Sequence, residues 1–256
     1  LNAPHPYIRT YYGRMYEAKF LAGMIAGAVT DNERVAYIAD YPIYGMIANI
    51  NAFALGVASV NPRAKVYLAW SKTKDYDRNK FLEENDLHYV SDQDIITPND
   101  ASRYFGLYKL QDGQALNLAM PIWNWGVFYE KLLQSVLAGS YKAEGQEQVK
   151  ALNYWWGMSA GVIDLICSKH VPYGVKRLAD HLKSDITKGE VVPFFGQIYD
   201  QKGELKNKGE HEMKPSDIMK MDWLVDNVVG SIPHMSEFVD NAKMVVELKG
   251  VEGNKL

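Results

Sequence analysis

The 256-residue chain has few of the features that commit a protein to one kind of chemistry. Its one cysteine, Cys167, excludes an internal disulfide framework. No apolar run approaches the roughly 20 residues of a membrane-spanning helix. The 28 basic and 31 acidic residues give a net charge of −3, which argues against a nucleic-acid-binding surface. The length is sufficient for one large domain or two small ones, each with its own core.

Signatures of metal and phosphate sites are also missing. Cys167 and His170 could supply half of a zinc site, but no second pair of ligands is present among the six scattered histidines. Neither G-x-G-x-x-G nor G-x-x-x-x-G-K-[ST] occurs. We therefore expect no metal and no cofactor.

What the chain does have is aromatic rings with a polar tip. It contains 17 Tyr and 6 Trp against 8 Phe. Such rings suit binding clefts, although buried Tyr and Trp also use the polar tip to satisfy groups in a core.

Hydrophobic periodicity predicts an α/β order in the first 70 residues. Apolar residues recur every three or four positions over residues 11–29, which predicts a helix. A mostly apolar run at 35–39 predicts a strand covered on both faces. A helix is predicted at 46–60 and a further strand at 65–70, and this alternation is typical of βαβ units in a parallel sheet.

Later segments continue both kinds of element. Strands are predicted at 87–90, 105–110, 115–122 and 191–199, the last leading into a hairpin turn at 200–203. Helices are predicted at 125–138, 173–188, 216–229 and 236–248, and a polar connector at 143–150. In the first helix, Gly23 and Gly27 lie four residues apart on one face, which predicts the close approach of another backbone.

One string is typical of an enzyme. Gly157-Met158-Ser159-Ala160-Gly161 fits the G-x-S-x-G pattern of a hydrolase nucleophile elbow, and Asp164 with His170 or His181 follows in the order of a catalytic triad. The elbow needs a helix directly after the serine, whereas residues 162–166 are rich in β-branched side chains and favour a strand. A serine hydrolase acting through Ser159 is therefore a remote alternative.

The loop after the first predicted strand is a candidate binding segment. It reads Asp40-Tyr41-Pro42-Ile43-Tyr44-Gly45, and ligands of open α/β sheets collect at the carboxyl ends of strands. Asp40, Tyr41 and Tyr44 could stack on a planar ring and accept its hydrogen bonds. The alternative is a surface turn whose tyrosines pack on the neighbouring helix.

A second candidate segment is Trp123-Asn124-Trp125, directly after a predicted strand. We expect Trp123 to contact a ligand, whereas Trp125 and Phe128 are expected to anchor the following helix in the core. Several loop carboxylates could form an acid–base pair, with solvated surface charge as the more ordinary interpretation: Asp75, Asp77, Asp92, Asp94 and Asp100.

Strings along most of the chain resemble the basic membrane protein (BMP, PnrA-like) family of ABC-transporter substrate-binding lipoproteins. They are YYGRMYEAKFLAG at 11–23, VAYIA at 35–39, INAFALG at 50–56, VNP at 60–62, GMSAGVIDL at 157–165, GQIYD at 196–200, MDWLV at 221–225 and VVGSIP at 228–233. The resemblance implies a type I periplasmic-binding-protein fold, in which two Rossmann-like α/β lobes close on a ligand by a hinge.

The resemblance also implies a division of the chain. Residues 8–115 would form the second lobe, 116–150 a strand and helix of the first lobe plus a connector, 151–205 a return to the second lobe with a hairpin, and 206–256 a C-terminal helical extension. The family's opening segment has no counterpart before Leu1, so we expect the first lobe to be incomplete in this chain.

Several members of the family bind purine nucleosides, and two of their ribose-binding positions are not matched here. Those members carry an Asp and a Lys where this chain has the neighbourhoods of Tyr108 and Asn124. We include Tyr108, Asn124 and Tyr11 with the candidate ligand contacts named above. The expected ligand is a small planar solute, nucleoside-like or another heterocycle.

The resemblance implies a non-enzymatic, substrate-binding component of an ABC importer with the transporter permease as its partner. Such a protein is extracytoplasmic, at the cell surface or in the periplasm, and would contact the membrane only through a lipid anchor upstream. A ligand-sensing regulatory domain of the same fold is the alternative.

Overall fold

The computed structural model describes residues 10–94, 103–139 and 154–251. Its strands, in chain order, are β1 (Tyr11–Gly13), β2 (Arg34–Ala39), β3 (Lys65–Trp70), β4 (Tyr89–Ser91), β5 (Leu107–Gln111), β6 (Gln114–Trp123), β7 (Tyr154–Trp156), β8 (Ile163–Cys167), β9 (Gln197–Tyr199), β10 (Leu205–Lys208) and β11 (Val228–Val229). Its α-helices are α1 (Met15–Val29), α2 (Met46–Val60), α3 (Arg78–Glu84), α4 (Trp125–Leu137), α5 (Tyr173–Lys188), α6 (Pro215–Met219) and α7 (Asp240–Lys249). Short 3₁₀ helices lie at Met158–Ala160 and Met235–Glu237.

A seven-stranded sheet forms the centre of the fold, in the order β11-β3-β2-β4-β5-β6-β8. The pairs from β11 to β4 are parallel, and those from β4 to β8 are antiparallel. In β2 every residue after Arg34 is buried, as expected for a parallel strand covered on both faces. The predicted α/β fold class and the βαβ order at the start of the chain are confirmed.

Helices α1 and α2 pack with their backbones in near contact. A Cβ atom on Gly27 would lie 2.7 Å from the Val57 carbonyl oxygen, and one on Gly23 would lie even closer to the Phe53 carbonyl oxygen. Gly56 provides the same room from the other helix, opposite the backbone of Phe20. The close approach predicted from Gly23 and Gly27 is therefore confirmed, with α2 as the partner.

The segment after α6 is held to α2 by two buried asparagines. The Asn51 amide donates to the Trp223 carbonyl at 2.8 Å, and its oxygen accepts from the Val225 amide at 3.1 Å. The Asn227 amide donates to the Ala54 carbonyl at 2.8 Å. These bonds bring β11 to the edge of the sheet beside β3.

Two predicted helices differ from the structure. The helix predicted at 11–29 begins only at Met15, because Tyr11–Gly13 pairs in parallel with Tyr154–Trp156. The helix predicted at 216–229 is wrong beyond α6, because Val228–Val229 pairs with β3 instead. Both errors arise from strand partners that are distant in sequence.

Most other predicted elements are confirmed with small changes of boundary. The hairpin around 200–203 is present, with β9 and β10 antiparallel, although its first strand spans only three residues. Helix α4 ends as expected, with Gly139 at a φ of 74° after the last turn. The predicted connector at 143–150 lies outside the described residues, and the division into lobes stays a prediction.

Candidate ligand-binding cleft

A cleft of about 700 Å³ lies where several of these elements meet. Its walls come from β1, the loop between β2 and α2, the first turns of α1 and α2, and the end of β6. The loops that follow β2 and β4 both contribute, which is the edge at which ligands bind open α/β sheets.

One wall of the cleft is aromatic. The indole rings of Trp123 and Trp125 are stacked, with centroids 4.7 Å apart and planes 7° from parallel. The Tyr11 ring meets both of them edge-on, at 6.2 Å and 6.0 Å. Trp123 lies so close to the β1 backbone that a Cβ atom on Gly13 would come within 3.0 Å of its ring. Gly13 therefore allows the indole to pack against the strand.

A second wall is the loop that leads into α2. Gly45 precedes the helix with a φ of 81°, a left-handed conformation that favours glycine. Its amide donates to the Met219 carbonyl at 3.0 Å, and its carbonyl accepts from the Tyr12 hydroxyl at 3.4 Å. Tyr12 is in turn stacked on Trp155, with centroids 4.7 Å apart. Hydrogen bonds to Tyr12 of β1 and to Met219 of α6 thus hold the loop in place.

Two polar side chains of the cleft, Asp94 and Asn49, offer hydrogen-bond acceptors. Asp94 follows β4 and pairs with the buried Lys19 of α1, with Nζ and Oδ1 2.7 Å apart. Burial raises the pKa of Asp94 above its usual value of 3.8, against the opposing effect of the Lys19 charge. The Asn49 oxygen Oδ1 is buried and accepts no hydrogen bond from the described residues. Both acceptors could bind donors of a ligand.

The described residues that line the cleft include one carboxylate and no Lys, Arg or His. An anionic ligand would therefore meet no compensating charge there. A neutral or donor-rich ligand with a flat face is the best match to the aromatic wall and the two acceptors.

Three of the predicted site residues come together in this cleft: Tyr11, Tyr44 and Trp123. Trp125, which was expected to be a core anchor, is 41% exposed and also lines the cleft. That expectation is corrected because the start of α4 presents its indole to the Trp123 ring and to solvent, while Phe128 is the buried residue of the helix.

Four other predicted contacts lie elsewhere. The Asp40 carboxylate accepts from the Ser71 hydroxyl and lies 3.4 Å from the Gln93 amide. Tyr41 packs against the apolar side of α7. Both side chains interact with residues outside the cleft, and neither lines it.

The polar groups of Asn124 and Tyr108 are likewise bonded to other parts of the fold. Asn124 precedes α4, and its amide donates to the Gly161 carbonyl at 2.9 Å. Tyr108 is fully buried, and its hydroxyl donates to Asp92 at 3.2 Å beside Arg78. The predicted ligand contacts of these two residues are therefore not part of the cleft that we describe.

The lining residues that the sequence did not single out as ligand contacts include Tyr12, Gly13, Asn49 and Asp94. Asp94 was considered as a loop carboxylate, and its position in the loop that follows β4 is the signal that could have placed it here. Asp100, the last of those carboxylates, lies outside the described residues.

The hydrolase alternative is contradicted by the surroundings of Ser159. This serine lies in a 3₁₀ helix between β7 and β8, so a strand follows it where an elbow requires a helix. The Arg14 guanidinium donates to its hydroxyl oxygen at 2.6 Å, and Asp164 pairs with Lys183. Neither partner is the histidine base that a triad needs.

The described residues contain neither a cluster of metal ligands nor a helix that could span a membrane. No group of three or more His, Cys, Asp or Glu side chains in residues 10–94, 103–139 and 154–251 could hold a metal ion. None of the helices in these ranges is long and apolar enough to cross a membrane.

Comparison with known proteins gives relatives of one general kind. A purine-binding protein of Brucella abortus is 27% identical over 236 residues, which cover 87% of this chain and 65% of the relative. A putative ABC transporter glucose-binding protein of Haloferax volcanii is 33% identical over 165 residues, which cover 59% of this chain and 40% of the relative. The chain thus spans less than two thirds of the length of either protein.

Solved structures share the fold. An ABC transporter solute-binding protein from Conexibacter woesei aligns with a TM-score of 0.50 and 15% identity, over 74% of this chain and 66% of the other. A transcriptional activator of the comK gene from Bacillus halodurans aligns with a TM-score of 0.54 and 14% identity, over 75% and 69%. At these identities the likeness supports the periplasmic-binding-protein fold and nothing finer.

The family model for ABC transporter substrate-binding proteins of the PnrA-like type (Bmp) matches residues 7–103. This segment contains β1 to β4 and the loops of the cleft that follow β2 and β4. The resemblance to the PnrA-like, basic membrane protein family that the sequence indicates is therefore confirmed.

Proposed function

We propose that this chain is the substrate-binding part of an ABC importer and that the cleft binds a small, flat, uncharged solute. The observation that carries the proposal is the combination of the stacked pair Trp123 and Trp125 with the acceptors Asp94 and Asn49 in one cleft. The family description names substrate binding and no reaction, so the proposal involves no catalysis.

The aromatic wall would contribute binding energy by stacking. Loss of one ring from a stacked base costs about 1–3 kcal/mol in other proteins, or roughly 5- to 150-fold in Kd. The acceptors would add direction, because the partly buried Asp94 carboxylate, whose Oδ1 is paired with Lys19, can accept from a ligand N–H or O–H on its other oxygen.

The names of the two relatives suggest two ligand classes. A purine offers a flat ring and N–H donors, and it suits the aromatic wall best. Glucose offers several hydroxyl donors, and the acceptor character of the cleft suits those equally. We place a purine or nucleoside first because the stacked pair of indoles presents a flat apolar surface.

The test is calorimetric titration of the chain with adenine, adenosine, glucose and AMP. We expect binding of adenine or adenosine and at least about tenfold weaker binding of AMP, whose phosphate would meet no cationic side chain among the described residues that line the cleft. Binding of glucose alone would move the ligand class to sugars. Failure of a folded chain to bind any of the four would contradict the proposal.

Two matched pairs of variants locate the site. Trp123→Ala should weaken binding within the range given above, whereas Tyr173→Ala, which removes an exposed ring of α5 that does not line the cleft, should not. Asp94→Asn should weaken binding of a donor-bearing ligand, whereas Asp112→Asn on the β5–β6 turn should leave it unchanged. Equal effects within either pair would argue that the ligand binds elsewhere.

The same proposal implies an extracytoplasmic location and an ABC permease as partner. A ligand-sensing regulatory domain would bind the same solutes through the same cleft, so titration does not separate the two. Stimulation of the ATPase activity of a reconstituted transporter by the loaded chain is the expected result for an importer component.

A further inference from the structure

The C-terminal segment after Pro233 runs beside the loop that forms one wall of the cleft. We call residues 234–251, which include α7, the C-terminal strap. At its end, the Tyr44 amide donates to the Lys249 carbonyl at 3.0 Å, and the Val251 amide donates to the Pro42 carbonyl at 3.1 Å. Ile43 and Gly250 form an antiparallel bridge between these two bonds. The loop before α2 therefore pairs with the end of the strap in a short antiparallel β-ladder.

The start of the strap is held by the loop after β3. The Lys74 amide donates to the Glu237 carbonyl at 2.9 Å, and the Val239 amide donates to the Lys72 carbonyl at 3.1 Å. Thr73 and Phe238 form an antiparallel bridge between them. The strap is thus attached at both ends to loops that leave the carboxyl ends of parallel strands.

An apolar cluster fills the space between these attachments. Phe238, Ala242 and Val246 are fully buried, and the half-buried ring of Tyr41 packs against them. The other face of α7 is open, since Met244 is 69% exposed. The buried face of the strap is therefore directed at the loop of the cleft.

Three residues of this loop, Ile43, Tyr44 and Gly45, line the cleft, whereas no described residue of the strap does. We propose that the C-terminal strap is a positioning element: it holds the loop before α2 in the conformation that binds ligand, without touching the ligand itself. The effect on ligand affinity rests on the proposed function, and the effect on the loop does not.

Gly250 offers a point at which the strap can be displaced without altering the cleft. A Cβ atom at this residue would lie within 3.0 Å of the Val246 carbonyl oxygen and 3.0 Å from Val246 Cγ1, so Gly250→Ala must shift the end of the strap at residues 250–251 relative to α7, and with it the bonds to the loop. The matched control is Gly174→Ala on α5, where an added Cβ meets nothing within 4 Å.

Hydrogen exchange of the 256-residue chain is the first readout. We expect the Tyr44 amide to exchange about tenfold faster or more in Gly250→Ala than in the parent, with β2 and β3 unchanged. Gly174→Ala should leave the Tyr44 amide as it is in the parent. Unchanged exchange at Tyr44 in Gly250→Ala would overturn the proposal.

A second pair of variants tests one hydrogen bond. Val251→Pro removes the amide that donates to Pro42, and Gly250 before it has a φ of −65° and a ψ of 153°, which a following proline accepts. Val251→Ala keeps that amide while also losing side-chain volume. Faster exchange at Tyr44 in the proline variant than in the alanine variant is expected. Equal exchange, or an increase spread evenly over β2 and β3 in both, would show that the strap only stabilises the fold as a whole.

Titration with adenine and with glucose is the second readout. If the loop adopts its binding conformation about a tenth of the time in Gly250→Ala, the apparent Kd rises about tenfold. A parent chain that binds neither these probes nor adenosine or AMP would contradict the proposed function, while the exchange data would still decide the role of the strap. Parent-like affinity in Gly250→Ala together with a loosened loop would overturn the link between strap and binding.

Discussion

The contact between α1 and α2 leads to a sharp prediction for Gly56→Ala. A Cβ atom at Gly56 would lie 2.9 Å from the Met24 amide nitrogen and closer still to the Phe20 carbonyl oxygen. These are backbone atoms of a buried helix, so no side chain can rotate away. The two helices would have to separate by more than about 1 Å to restore ordinary van der Waals contact, which is the situation of an overpacked core.

The magnitude follows from two opposing effects. Overpacking costs about 1–3 kcal/mol, and separation of the helices adds to this because it loosens the packing along the whole contact. Replacing a helical glycine by alanine recovers about 0.5–1 kcal/mol of backbone entropy. We therefore expect Gly56→Ala to lower the free energy of unfolding by about 2 kcal/mol, a large share of the 5–15 kcal/mol typical of a native protein.

Urea denaturation followed by far-ultraviolet circular dichroism measures this difference. The control is again Gly174→Ala, which gains the same backbone entropy in open space and should be as stable as the parent or up to about 1 kcal/mol more stable. A midpoint for Gly56→Ala equal to or above that of Gly174→Ala, at equal slope, would refute the argument that backbone contact requires this glycine.

Two further predictions concern buried polar groups. Burial raises the pKa of Glu17 above 4.5, so the folded state favours the protonated carboxyl group. The free energy of unfolding of the parent should therefore fall, relative to that of Glu17→Gln, as the pH rises. Parallel pH profiles of the two proteins would contradict this. Asn51→Leu leaves the Trp223 carbonyl and the Val225 amide without their partner and should cost about 2–5 kcal/mol in urea melts. Asn79→Leu on the exposed face of α3 is its control and should stay within about 0.5 kcal/mol of the parent.

The elements predicted best from the sequence are those set by local pattern. The bounds 46–60 and 65–70 are those of α2 and β3 in the structure. Asn61-Pro62 ends the helix, and the apolar run that follows fits a buried strand. Gly23 and Gly27 likewise predicted a close contact between helices, because a glycine on the apolar face of a helix lets another backbone approach.

The elements predicted worst depend on partners far away in the chain. Residues Tyr11–Gly13 continue the helical pattern of α1, and only their pairing with Tyr154–Trp156 makes them a strand. The same limit applies to β11, since nothing local indicates that Val228–Val229 pairs with β3. Tertiary contacts override local preference in both cases.

The sequence predicted where the cleft lies better than it predicted which residues line it. The rule that ligands collect at the carboxyl ends of strands led to Tyr44 and Trp123, which line it. It could not distinguish them from Asp40 and Tyr41, whose side chains are taken up by Ser71 and by α7. The sequence did not identify Asp94 as a ligand contact, because its partner, Lys19, lies on a helix about 75 residues earlier in the chain.

The pairing of β1 with β7 has a consequence for the order of folding. The helices α1 and α2 and the strands β2 and β3 contact one another within the first 70 residues, so they can form while the chain is short. The aromatic wall depends on a parallel ladder that closes a loop of about 140 residues, and such closure carries a large entropic cost before any contact compensates it. On a ribosome, β1 therefore has no strand partner until residues 154–156 have emerged, and we expect the cleft to be among the last parts of the protein to reach its native geometry.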